Sequence, residues 1–154
     1  MELDFAILAR RVETRKGMSH CEFLGWKSYT MAAFPQCLDA ALLFRIDYES
    51  WEVALPHDIE IYFLDEQRTK IATGKGIQVS LPVGQDHYTH TVGLQDVMIQ
   101  REGSYSIEIW IDRKLVKTIP FRTRLAPERA SSPSPESVPE TQSAPVPASG
   151  SAAS

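Results

Sequence analysis

The chain is 154 residues long, with 16 Lys and Arg against 20 Asp and Glu, a formal net charge of −4, 43% hydrophobic residues and two cysteines. That length suits one domain, and the mildly acidic balance offers no electrostatic footprint for nucleic acid or an anionic membrane. No stretch approaches the roughly 18 consecutive apolar residues of a membrane helix, so neither nucleic acid nor membrane is an expected partner.

At the N-terminus Glu2 and Asp4 precede the apolar Phe5–Ala9, and Arg10 and Arg11 follow it, the reverse of a secretory signal's basic-then-apolar order. A cytoplasmic location is expected. Phe5, Leu8, Ala9 and Val12 fit a helix capped by Gly17, whereas Leu3, Phe5 and Ile7 fit a strand. Without an export signal, Cys21 and Cys37 are expected as reduced, buried small side chains rather than a disulfide. Pro35 could open a helix carrying Leu38, Ala41 and Leu42. The competing strand alternates through Leu38, Ala40, Leu42, Phe44, Ile46 and Tyr48, and the length of that alternation favours it.

Asp58–Asp65 is a clearer strand, with Ile59, Ile61 and Phe63 on one face and a turn at Asp65–Arg68. Ile71–Thr73, Ile77–Leu81 and Tyr88–Leu94 are shorter β-prone runs punctuated by Gly74, Gly76, Pro82 and Gly84. Gly74-Lys75-Gly76 lacks the remaining glycine and the Ser or Thr of a phosphate loop, and reads as a turn or bulge. Gly103–Asp112 alternates with Tyr105, Ile107, Ile109 and Ile111 on one face, and polar Asp112–Lys114 turns it into a returning strand, Leu115–Thr123. Pro120 cannot donate to a ladder, which puts it on a sheet edge or facing solvent. From Ala126 to Ser154, 29 residues include six Pro, eight Ser and six Ala with no aromatic, Leu or Ile, too little apolar surface to offset the entropy of ordering. The expected organisation is a β-sandwich domain over residues 1–125 and a disordered Pro/Ser/Ala-rich tail over 126–154. The expected fold is all-β, an antiparallel immunoglobulin-like sandwich of about seven to nine strands.

Ile99-Gln-Arg-Glu-Gly-Ser-Tyr105 resembles the corner of immunoglobulin-like sandwiches, where a Tyr near the start of a late strand hydrogen-bonds back to the chain. The resemblance implies a structural role for Tyr105. A second resemblance rests on Leu3–Ala9, the polar turn ending in Gly17, Phe23-Leu-Gly-Trp26, Phe34-Pro35, Gly103-Ser-Tyr105 and Ile119-Pro-Phe121. Together these resemble a group of small bacterial proteins known only as a domain of unknown function, a predicted β-sandwich. That implies a bacterial cytoplasmic origin, tips Leu3–Ala9 towards strand, and implies no activity.

Catalytic constellations are scarce. His87 and His90 are three apart, which on a strand sends them to opposite faces, whereas two metal ligands on one strand need a spacing of two. His20 and His57 stand alone, and no two aspartates are two residues apart, as a calcium loop would need. Glu60 and Glu108 could face each other as a glycosidase pair if their strands are neighbours. No cysteine or serine sits in a nucleophile motif. No catalytic, cofactor or metal residue is therefore assigned.

The water-facing sides are more informative, because alternation puts Leu43, Tyr62, Leu64 and Trp110 there. If their strands adjoin, these residues form an interaction surface rimmed by charge. The expected function is a non-catalytic binding or assembly module for a protein partner or a second copy. The alternative is a carbohydrate-binding sandwich drawing on Trp26, Tyr29, Tyr48, Trp51, Tyr62, Tyr88 and Trp110, and a third reading is an enzyme whose site is assembled from distant strands. Truncation after Leu125 is expected to leave the thermal midpoint nearly unchanged; a loss of several degrees would show that the tail packs on the domain.

Overall fold

The computed structural model describes residues 1–16, 18–22 and 24–127. The Gly17 cap and all but the first two residues of the expected tail lie outside them. The strands run in chain order as β1 (Glu2–Ala9), β2 (Arg11–Arg15), β3 (Met18–Glu22), β4 (Ser28–Met31), β5 (Gln36–Cys37), β6 (Ala41–Asp47), β7 (His57–Leu64), β8 (Lys70–Val79), β9 (His87–Gly93), β10 (Met98–Ile99), β11 (Gly103–Ile111) and β12 (Lys114–Leu125), with a 3-10 turn at Glu52–Ala54. Both segments with a helical alternative are strands; in the first a register shift between Leu3 and Phe5 breaks the expected row, so that Leu3, Ala6 and Leu8 face the core instead of Leu3, Phe5 and Ile7.

Two larger sheets carry the fold, a three-stranded one in the order β1-β6-β9 and a five-stranded one in the order β4-β12-β11-β7-β8. Leu8, Leu42, Phe44 and Ile46 of the first join Ile59, Ile61, Phe63, Ile107, Ile109 and Phe121 of the second in one core cluster. The alternating row from Leu38 to Tyr48 enters that cluster whole. β2 and β3 form a separate hairpin, and β5 pairs with β10.

Several expectations need correction. The fold is all-β but not wholly antiparallel, since β4 pairs parallel with β12 from Ser28↔Arg122 to Met31↔Leu125. These strands lie far apart in sequence, so no hairpin fixes their direction. Ile71–Thr73 and Ile77–Leu81 are not separate; the single strand β8 runs through Gly74, and its pairing with β7 shifts register between Ile61 and Phe63. The segment is therefore a bulge and not a turn. The strand count exceeds the expected one because of the β2–β3 hairpin and the two-residue strands β5 and β10. Cys21 and Cys37 are unbonded, yet Cys37 is exposed, because it sits on surface strand β5.

At Pro120 the edge expectation fits the geometry: Pro120 lies opposite Ser106 of β11, and β4 joins β12 only from Arg122 onward. The Tyr105 hydroxyl donates to the Arg101 carbonyl at 2.7 Å, and its ring stacks on Phe121 with centroids 5.7 Å apart. Thr123 Oγ1 donates to the same carbonyl at 3.3 Å, tying the loop before β11 to the end of β12.

The β11–β12 turn has left-handed Asp112 and Arg113, φ 47° and 67°, as the twist of a two-residue hairpin requires. Asp112 also closes the end of β7. Its Oδ1 accepts the Asp58 N–H at 3.0 Å, and its Oδ2 lies 2.7 Å from His57 Nδ1. His57 Nε2 meets the Glu52 carbonyl at 3.2 Å, so each ring nitrogen faces an oxygen acceptor. Glu52, 4% exposed, accepts the Glu49 N–H at 2.8 Å and pairs with the Met1 ammonium. Burial alone would raise the pKa of Asp112, but the bonds from His57 and the Asp58 N–H outweigh it and hold the carboxyl below its usual range. Burial of Glu52 is likewise outweighed by the ammonium and the Glu49 N–H.

A depressed carboxyl pKa contributes stability above its unfolded value and loses it as pH falls through the folded value. Asp112→Asn tolerates the left-handed backbone but loses the charge, and at neutral pH it is expected to be less stable by about 1 kcal/mol, the low end for a charge-assisted bond to a half-exposed group. Urea midpoints from pH 7 to pH 2 check this: the gap to wild type narrows as pH falls below about 4, the ordinary Asp value. A gap constant with pH would show that the carboxylate charge has no part in the contact.

Candidate functional site

The site is built on the two central strands of the five-stranded sheet. β7 and β11 are antiparallel neighbours, with Glu60 opposite Trp110, Tyr62 opposite Glu108 and Leu64 opposite Ser106. Because Ile59, Ile61 and Phe63 point into the core, the residues between them point out. Tyr62, Leu64 and Trp110 therefore share one outer face.

Leu43 does not belong to it. β6 lies in the three-stranded sheet, where Leu43 sits between Ile7 of β1 and Thr91 of β9 and is 7% exposed. The alternation was right about its direction, but alternation within one strand carries no information about which sheet receives it. Leu64 is also buried, at 4% exposed, so the accessible part of the expected surface reduces to Tyr62 and Trp110, both half-buried.

Those rings meet edge to face, with centroids 6.4 Å apart and planes at 82°. The Trp110 indole Nε1–H donates to Glu108 Oε2 at 3.1 Å, and the Tyr62 hydroxyl donates to Glu60 Oε2 at 3.0 Å. The Glu60 bond and then burial push the Tyr62 hydroxyl above its ordinary pKa. Glu108 is only 4% exposed and is paired with Arg68. Lys70 Nζ lies 3.6 Å from the centre of the Tyr62 ring, a cation–π contact. Arg68 and Lys70 thus lie over the carboxylate and the ring.

Arg68 comes from the turn after β7. Its N–H bonds to the Asp65 carbonyl at 2.9 Å, and Asp65 Oδ1 accepts the Thr69 N–H at 2.8 Å. The turn holds Arg68 at a left-handed φ of 61°. With Leu64 paired to Ser106, a side chain leaving this turn must run along the outer face past that pair to reach Glu108.

The side chains weighed as catalytic alternatives each have neighbours. Glu60 and Glu108 are on neighbouring strands, but each is engaged, one by a tyrosine and the other by an arginine and an indole. Both ring nitrogens of His57 are likewise occupied. His87 bonds Asp86 at 2.6 Å, and His90 bonds the Tyr88 hydroxyl at 2.8 Å. Burial lowers the His90 pKa. Among the described residues no three His, Cys, Asp or Glu are grouped to hold a metal ion, and no helix is long and apolar enough to cross a membrane.

A family model described as a family of unknown function (DUF6941) matches residues 4–124, from β1 to the end of β12. The chain belongs to this family. No curated protein matches it. In this DUF6941 chain the outer face was only half readable beforehand. Tyr62 and Trp110 were visible as apolar residues out of phase with the core, whereas Arg68 and Lys70 gave no signal, since turn residues carry no facing information until the turn geometry is known.

Arg68→Gly tests whether the ion pair or the backbone dominates. Glycine relieves the left-handed conformation by about 1 kcal/mol, but it leaves a buried carboxylate unpaired, at a cost of about 3 kcal/mol. A net loss of about 2 kcal/mol in urea unfolding is expected. A stabilised variant would mean that Glu108 does not depend on Arg68.

Proposed function

We propose that this DUF6941 member is a non-catalytic module that binds another protein through the outer face of its five-stranded sheet, as an immunoglobulin-like sandwich in a bacterial cytoplasm. The observation that carries the reading is the Tyr62–Trp110 pair, two large aromatics placed on the central strands and away from the core. Trp and Tyr at the centre of a patch, ringed by charge, are the residues most enriched where interfaces gain their energy. Arg68 keeps 66% of its side chain in solvent and Lys70 is exposed, so the outermost layer is cationic. The partner that fits presents an apolar centre for Trp110 with carboxylates around it.

A sugar-binding shelf needs open and roughly parallel ring faces. Here the two rings stand at 82°, and Lys70 covers Tyr62. The protein-binding reading is therefore the better supported.

Affinity purification from the native host, with wild type beside Trp110→Glu and with Trp51→Glu as a control, tests it. Trp51 is the more accessible indole, 69% exposed on the loop after β6. The expected result is a partner retained by wild type and Trp51→Glu and lost from Trp110→Glu, which is less stable to heat because it loses the bond to Glu108 and sets a carboxylate opposite Glu60, but stays folded at the capture temperature by circular dichroism. Unchanged capture and sedimentation of Trp110→Glu would sink the reading, and so would saturable binding on a glycan array.

A further inference from the structure

A separate opening lies between the β1–β2 corner and the outer edge of β4. A cavity of about 230 Å³ there is lined by Arg10, Trp26, Ser28, Tyr29 and Thr30. Consecutive strand residues send their side chains to opposite faces, so a cavity touched by three in a row runs along the edge of the strand. β4 ends its sheet and pairs only with β12. The Lys27 carbonyl accepts the Arg122 N–H at 2.9 Å and the Met31 carbonyl accepts the Ala126 N–H at 2.8 Å. With main-chain groups alternating along a strand, Lys27, Tyr29 and Met31 turn towards β12, and Ser28 and Thr30 turn their N–H and C=O outward.

Two side chains around this edge, Arg10 and Trp26, are donors without acceptors among the described residues. Among the described residues the Arg10 guanidinium makes no ion pair or hydrogen bond, and only its main-chain N–H is used, to Glu22 O at 3.1 Å. The Trp26 indole Nε1 is buried with no partner among the described residues. Contacts with Tyr29 at 5.1 Å and Phe121 at 5.7 Å between ring centroids hold that indole in place. The Tyr29 hydroxyl, bonded to the Asp39 carbonyl at 3.0 Å, holds the adjoining wall.

Guanidinium and indole can only donate, so they select an acceptor, and a carboxylate matches the guanidinium fork. An outward row of N–H and C=O groups selects another extended chain. Arg10 also lines an adjoining groove of about 610 Å³ that reaches Asp39, Thr91 and Gln95, with space for residues flanking the first contact.

We propose that the β4 edge takes up an extended peptide from a partner protein, adding it as a strand with a Glu or Asp side chain on Arg10. The contact is independent of the Trp110 face, and Trp110→Glu leaves it unchanged. The probes are terminally blocked hexapeptides of alternating Thr and Val with a single Glu at each position in turn, a matching Gln set, and N-acetylglutamate as the small carboxylate, titrated into the ¹⁵N-labelled full chain.

At least one Glu peptide is expected to shift the Ser28 and Thr30 amides and the Trp26 indole signal and to slow hydrogen exchange at both amides. Its Gln counterpart and the Arg10→Gln variant are each expected to bind about tenfold more weakly, the loss of one charge-assisted contact. Thr30→Pro removes an N–H that β12 does not use and is expected to abolish binding. If that variant misfolds, surface-exposed Arg10→Gln still decides. Four results would overturn the proposal: no binding by any Glu peptide at millimolar concentration, equal binding by the Gln set, no effect of Arg10→Gln, or the same shifts from N-acetylglutamate alone.

Discussion

Ile59, Ile61 and Phe63 of β7 lie opposite Ile111, Ile109 and Ile107 of β11, and each is at most 5% exposed. Because the side-chain period is two, a slip of one residue would turn the β7 row to water and its polar neighbours into the core. At about 2 kcal/mol for each side chain, three exposed side chains would cost about 6 kcal/mol, comparable with the whole stability of a small domain. The register is therefore fixed by the core. The outer face inherits it: Tyr62 meets Glu108, and Glu60 meets Trp110, because the residues between them have no alternative placement.

The inherited face then has to resolve its own electrostatics. Glu108 is held at 4% exposure beside two aromatic rings, where an unpaired carboxylate is unfavourable. Arg68 reaches it from the turn, and the indole Nε1–H supplies a second bond. The other end of β7 follows the same logic with different groups, Asp112 being stabilised by His57 and the Asp58 N–H. In both places a hairpin turn supplies one partner and an adjoining strand the other, so the charged contacts anchor strand ends whose direction the core has already set.

These two kinds of determinant were unequally legible in the sequence. The rows Leu38–Tyr48, Ile59–Phe63 and Tyr105–Ile111 could be read directly, since burial on one side of a strand is a local pattern. Tyr105 could be read from its position before an alternating row, and its hydroxyl lies on Arg101 O. What stayed hidden was pairing at long range. Nothing local shows that β6 enters the three-stranded sheet and takes Leu43 away from Tyr62, or that β4 joins β12 in parallel. Arg68 and Arg10 were hidden for the same reason: a charged residue in a turn or corner reads as solvated until its neighbours are known.

The two surfaces also differ in what a partner would have to supply. On the Trp110 face the prominent polar groups satisfy one another, Glu60 with Tyr62 and Glu108 with Arg68 and Trp110, so binding there draws on burial of ring surface. At the β4 edge the opposite holds: the strand has four residues, and among the described residues its outward main chain is open and the nearby guanidinium and indole N–H have no acceptor. A short edge strand is a common defence against indiscriminate pairing, because few hydrogen bonds are on offer. Specificity must then come from beside the strand, which is where Arg10 stands. Under the two proposals the five-stranded sheet would use its outer face for a preformed apolar surface, and its edge, whose few hydrogen bonds would suffice only for a chain that also carries a carboxylate, for an extended peptide.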